Sequence, residues 1–284
     1  MTDWLDDLRL ESGPPFLAMG MHALRLDEWL IVDDDRAADL AVKADLLRTD
    51  RASVFAAMDG THEASAELLE MVREWLTAHG IAVPTSDADE HPLIAAARLV
   101  QEDLALLQYV DGEWVLTAGA ICFPTHWTIG DKVGLPLEGV HAPVAHYESE
   151  LREKVDRFHD RLAVDRPAWR RNWIVADTNA LHLRAYGGPI HHVPVIQPDG
   201  SPMWIRSERQ TLRRLQQTDA IVFTVRVQRA PLGVLLERPD LAGRMLAATR
   251  SWDARKRMYA STGGALDQLN EWLERVAGGA HPTT

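Results

Sequence analysis

Cysteine is almost missing: Cys122 is the only one in 284 residues. No intrachain disulfide can form, and no multi-cysteine zinc or iron-sulfur site can be assembled from this chain alone, so a reducing cytoplasm is the expected compartment. Nowhere do about 18 apolar residues run together. The opening decapeptide MTDWLDDLRL carries acids where an export signal needs bases, so neither a membrane span nor a signal peptide is expected. Lysine is scarce as well. Lys43, Lys132, Lys154 and Lys256 are the whole set, and arginine supplies 26 of the 30 basic side chains. Against 42 acids these leave a net charge of -12, which repels a phosphate backbone and draws in small cations, so nucleic acid is not an expected partner. Phosphate-binding fingerprints are missing too: Gly187-Gly188-Pro189 and Gly263-Gly264 lack the spacing that lets backbone amides cradle a phosphate. There is no H-E-x-x-H, and the neighbouring His191 and His192 would point to opposite sides of an extended strand.

What is present reads as a folded α+β protein. Residues 36 to 48 and 62 to 79 carry apolar side chains at helical spacing, and residues 93 to 107 continue that pattern through Leu99 and Leu106. Next comes LALLQYVDGEWVLTAGAICF, in which Asp111-Gly112 parts two β-prone runs and predicts a tight hairpin. A Gly/Pro-dense loop from Pro124 to Pro143, a helix over about 148 to 162 and the strand RNWIVAD follow. MWIRSERQTLRRL and DAIVFTVRVQ predict two long consecutive strands, the second rich enough in β-branched residues to be central. Helices return from Pro231 to about Ala277. The expected organisation is one domain over 1–284, an antiparallel sheet wrapped by helical segments at about 1–92 and about 231–284.

Chemistry concentrates in the Pro/Gly loop, where His126, His141 and His146 lie close together beside Trp127 and Lys132. Prolines fix such a backbone and glycines let it approach a ligand, which suits ligand-bearing histidines; His141 bracing a turn is the plainer alternative. Cys122 is a possible thiolate or a small core residue. The Glu102-Asp103 pair is a receptor for an ammonium group or a solvated helix face.

Several stretches occur in order: L-V-Q-E-D-L (99 to 104), C-F-P-T-H-W with Lys132 and Gly134 (122 to 134), V-H-A-P-V (140 to 144), R-x-N-W (170 to 173), R-S-E-R-Q-T-L-R-R-L (206 to 215) and I-V-F-T-V-R (221 to 226). Together they resemble the α subunit of the haem-dependent oxidative N-demethylases, from about residue 16 to about residue 250. The resemblance implies a PAS-like fold, a b-type haem, and oxygen-dependent removal of a methyl group from a small methylated amine as formaldehyde. It also implies electrons from a separate flavin and iron-sulfur reductase. His141 stands at the histidine of the family's I-H-x-P-V pattern and is the implied iron ligand. His126 is the rival ligand or, with Trp127, a residue of the oxygen and substrate side; the family more often has a smaller residue at 126.

Haem carboxylates need donors, and Arg206, Arg209 and Arg226 on the two long strands are the candidates, Arg209 first; Lys132 is a further cofactor-binding candidate, and Arg170, Asn172 and Trp173 brace the pocket. Arg206 and Arg209 are an odd number of residues apart and so cannot share one face of a regular strand. A haem oxygenase acting on another substrate and a non-enzymatic haem or small-ligand sensor remain as alternatives, because fold and cofactor do not settle substrate or turnover.

Overall fold

The computed structural model describes residues 3–10, 19–142, 147–183, 194–254, 257 and 265–279. His146, the glycine pairs 187–188 and 263–264, His191, His192 and Lys256 lie outside them.

Among the described residues seven strands make one antiparallel sheet: β1 (His22–Ala23), β2 (Phe55–Ala57), β3 (Asp103–Val110), β4 (Glu113–Ala120), β5 (Ala168–Ala176), β6 (Trp204–Arg214) and β7 (Ile221–Pro231), in the order β1-β5-β6-β7-β3-β4-β2. Asp111 (φ 52°) and Gly112 (φ 93°) turn β3 into β4, the left-handed pair that the Asp-Gly dipeptide predicts. β6 and β7 pair along their whole length, from Trp204 opposite Pro231 to Arg214 opposite Ile221. β7 lies between β6 and β3, the central position expected of its β-branched run.

Residues directly opposite one another in an antiparallel pair share a face, so the register sorts the sheet into two sides. On the back, Leu104, Leu106, Ala118, Ala120 and Val222 pack against α3 (His62–Ala78) and α4 (Pro92–Ala97). Farther along the same side, Trp173, Val175, Ile205 and Ala230 pack against α7 (Pro239–Arg250) and α8 (Leu266–Ala277). On the front, Ala105, Leu107, Leu212, Ile221 and Phe223 lie under α5 (Leu137–His141) and α6 (Arg152–Arg161), which a single π-helical turn, Tyr147–Leu151, precedes. α1 (Arg36–Thr49) and α2 (Arg51–Val54) bring Leu47 and Val54 against Cys122, Phe123 and Val227.

One expectation is corrected. The helix read over 93 to 107 ends at Ala97, and Asp103 already begins β3. Leu99 and Leu106 do fall at helical spacing. Residues 104 to 107, however, pair with β4 on one side and β7 on the other, and two ladders of backbone hydrogen bonds outweigh a weak local preference.

Candidate functional site

The front of the sheet gathers most of the loop's chemistry. Residues 134 to 136 are tied to β4 by Leu116 N–H donating to the Leu135 carbonyl (3.0 Å) and Gly134 N–H donating to the Leu116 carbonyl (2.8 Å). Pro136 then leads into α5, as suits a residue with no N–H to donate. Ile129 fits over Gly119, where a Cβ would stand 2.5 Å from Ile129 Cδ1. A side chain at position 119 would push Ile129 aside, so the glycine lets the segment bearing Trp127 and Lys132 lie close on β4.

His141 closes α5. Its Nδ1 stands 2.8 Å from the carbonyl of Leu137, and a carbonyl only accepts, so Nδ1 carries the proton and Nε2 presents a lone pair. Burial lowers its pKa to about 4, with smaller contributions in the same direction from Arg170, His159 and Lys132, against the raising effect of the Leu137 carbonyl. A neutral imidazole with a free Nε2 lone pair is a metal ligand by its chemistry. Tyr147 stacks on the ring at 4.5 Å between centroids and 8° between planes. The Tyr147 hydroxyl is buried without a hydrogen-bond partner among the described residues. Burial, then Asp156, raise its pKa, so it remains a neutral phenol.

Lys132 Nζ donates to the Val140 carbonyl (2.9 Å) and braces the segment just before His141; burial lowers its pKa. Arg170 Nε donates to Gln210 Oε1 (2.7 Å). From there a polar chain crosses the front. Gln210 Nε2 donates to Glu208 (3.0 Å), Thr125 Oγ1 donates to the other Glu208 oxygen (2.7 Å), and Arg206 Nε donates to Thr125 Oγ1 (3.0 Å). Arg206 is buried and also donates to the carbonyls of Phe123 (2.7 Å) and Ala180 (3.2 Å), which sews the start of the loop to β6. His126, next in the chain, takes a left-handed φ of 63° and donates its N–H to the Leu183 carbonyl (3.0 Å). Trp127 packs half-buried against the cluster that holds Leu137 and Tyr147.

Arg209, Arg226 and Trp173 lie on the other side. The odd-step argument holds: Arg206 faces front and Arg209 back. Arg209 donates to the carbonyls of Glu28 (2.6 Å) and Trp29 (3.1 Å), Arg226 pairs with Asp33 and Asp39, and Trp173 Nε1 donates to the Arg9 carbonyl (3.0 Å). All three therefore anchor the N-terminal segment and are not brought together with His141.

Three other residues take definite places in the fold. Cys122 is buried, and desolvation pushes its thiol up to about 12, so it packs as a small apolar residue. Glu102 and Asp103 are not on a solvated helix face: both are buried, and Asp103 accepts the N–H groups of Cys122 and Phe123 (2.8 Å each). Burial raises Asp103 to about 6 despite Lys43 and these two donors, and raises Glu102 as well.

Sequence reasoning missed His159, Tyr147 and the Thr125–Glu208–Gln210 chain. His159 is buried on α6, with Nδ1 donating to the Val155 carbonyl (2.8 Å), and burial lowers its pKa. Its i, i+4 spacing from the buried Val155 was a legible signal of an inward-facing histidine. The front-face cluster lies within residues 76–267, the span matched by the family model described as haem-dependent oxidative N-demethylase, alpha subunit-like. With two thirds of its length so matched, this chain belongs to the haem-dependent oxidative N-demethylase alpha subunit-like family.

Proposed function

We propose that this protein binds a b-type haem on the front of the sheet, with His141 Nε2 on the iron, and oxidatively demethylates a small methylated amine. The observation that carries the reading is the hydrogen bond from His141 to Leu137, which leaves the outer nitrogen of a neutral ring as a lone pair. The surroundings fit such a group in kind. Arg170 and Lys132 supply positive charge near His141, suited to haem carboxylates. Trp127, Phe223, Val140 and Leu137 supply apolar surface. In this reading the sheet is a PAS-like haem platform in a cytoplasmic protein.

When bound, the haem supplies oxygen activation and the oxidation of the N-methyl carbon to the level of formaldehyde. The protein's own groups do the rest. The Leu137 carbonyl holds the His141 proton on Nδ1 and so orients the ring. Lys132 fixes the turn before it, and the Arg206–Thr125–Glu208 links hold the backbone from which His126 and Trp127 address oxygen and amine. The net charge of -12 raises the local concentration of a protonated amine. With one cysteine and no flavin or nicotinamide fingerprint in this sequence, the electrons come from a separate flavin and iron-sulfur reductase.

The test is reconstitution with hemin, an external reductase system and a panel of secondary and tertiary methylamines. A Soret band at about one haem per chain and reductase-dependent oxygen uptake coupled to formaldehyde are expected. A protein that takes up hemin and oxygen yet gives neither an amine-induced spectral shift nor formaldehyde is a sensor or an oxygenase of another substrate. One that stays colourless refutes the haem assignment itself.

A further inference from the structure

Tyr147 combines two properties that ordinary packing does not explain. Its side chain is 3% exposed, yet its hydroxyl has no hydrogen-bond partner among the described residues. Its ring lies nearly parallel to His141, closing one side of the imidazole. An unsatisfied buried hydroxyl costs stability that a phenylalanine at the same place would not. Such a group calls for an explanation, and a bound molecule that completes it is one.

The surroundings narrow what that something is. Arg152, one cation near Tyr147, is paired with Glu138 at 2.8 Å. Arg170, whose Nε donates to Gln210 Oε1, lends its charge to both Tyr147 and His141. A phenol O–H donates to a carboxylate, and positive charge acting at the same place favours an anion there.

Resting on the haem reading above, we infer that Tyr147 is a positioning residue of that site: its ring sets the plane of His141, and its hydroxyl donates to a carboxylate of the bound haem.

Hemin-free protein, Tyr147→Phe and Tyr147→Ala are each melted and then titrated with hemin and with hemin dimethyl ester, followed at the Soret band. Tyr147→Phe keeps the ring, so its iron coordination spectrum should match the parent's. Without hemin it should melt at the same temperature or roughly a few degrees higher, because a buried, unpaired hydroxyl has gone. Its hemin affinity should fall roughly ten-fold or more, the loss expected for a hydrogen bond to a charged acceptor. That penalty should shrink to about that of a neutral hydrogen bond, roughly two- to three-fold, with the ester, whose carbonyl oxygens carry no charge. Tyr147→Ala should in addition change the coordination spectrum. A hydroxyl with a merely structural partner would give the reverse signature, a lower melting temperature and unchanged hemin affinity, and would overturn the proposal. A penalty that persists undiminished with the ester overturns the carboxylate as acceptor. If the parent binds no hemin the haem reading falls and this proposal with it, whereas a parent and Tyr147→Phe that bind hemin equally overturn the proposal alone.

Discussion

Replacing Arg226 with methionine separates the two faces of the sheet. The guanidinium spans two acids, with one terminal nitrogen 2.7 and 2.9 Å from the carboxylate oxygens of Asp33 and the other 2.9 Å from Asp39. Arg226 and Asp39 are each 2% exposed at the side chain. Methionine fills similar space but leaves Asp39 with the Gln101 amide at 2.8 Å and Arg229 at 3.8 Å, too far for a hydrogen bond. Breaking one side of a buried pair costs about 3–5 kcal/mol; because Gln101 remains, the low end, about 3 kcal/mol, is expected. For a chain of this size that lowers Tm by roughly 6 to 12 °C. Adding Asp39→Asn removes the stranded charge and keeps an acceptor for Gln101, so the double variant should recover to within about 1 kcal/mol of the parent; the coupling is then about 2 kcal/mol plus whatever Asp39→Asn costs alone. The assay is urea and thermal unfolding of all four proteins, with hemin titration alongside. Additive losses would refute the buried-pair argument. Hemin affinity should stay within about two-fold of the parent, since the pair faces away from His141. An Arg226→Met protein of normal stability that binds hemin poorly would instead make Arg226 a partner of the cofactor.

Other expectations follow from the front face. His141→Ala should lose hemin or change its coordination and spin state, with added imidazole restoring the parent spectrum, while His126→Ala should keep hemin and alter oxygen or amine behaviour; the opposite pattern exchanges their roles. Protonation also has a testable sign. His141 takes up its proton near pH 6.5 when unfolded and near pH 4 when folded, so the hemin-free protein loses about 3 kcal/mol from this group as pH falls through that window. Asp103, raised to about 6, titrates with the opposite sign over about pH 4 to 6, so the measurement is the difference in slope between the parent and His141→Gln; equal slopes refute it. Gly119→Ala should displace Ile129 and lower both Tm and hemin affinity, whereas an unchanged Tm would mean that the loop shifts without cost.

What the sequence makes legible is set by how local the cause is. The Asp111-Gly112 hairpin needs two residues with positive φ and nothing else, so it reads directly. The opposite facing of Arg206 and Arg209 also follows from counting, because a strand alternates. Counting does not say which face holds the chemistry. That depends on the register bringing Gln210 opposite Arg170, and on Asp33 and Asp39 reaching Arg226 from far away in the chain. Arginine type and spacing are alike on both sides; only the partners differ, and those partners turn Arg209 and Arg226 into anchors of the N-terminal segment while Arg170 bonds Gln210 on the front. The helix read over 93 to 107 fails for the same reason, since pairing with two distant strands decides it. His141 itself was found through the family resemblance, and no spacing announces its tautomer: that rests on a carbonyl one helical turn back in a five-residue helix. The buried Tyr147 hydroxyl is further from view still, because an unmet hydrogen bond belongs to no residue type and exists only once the neighbouring groups are in place.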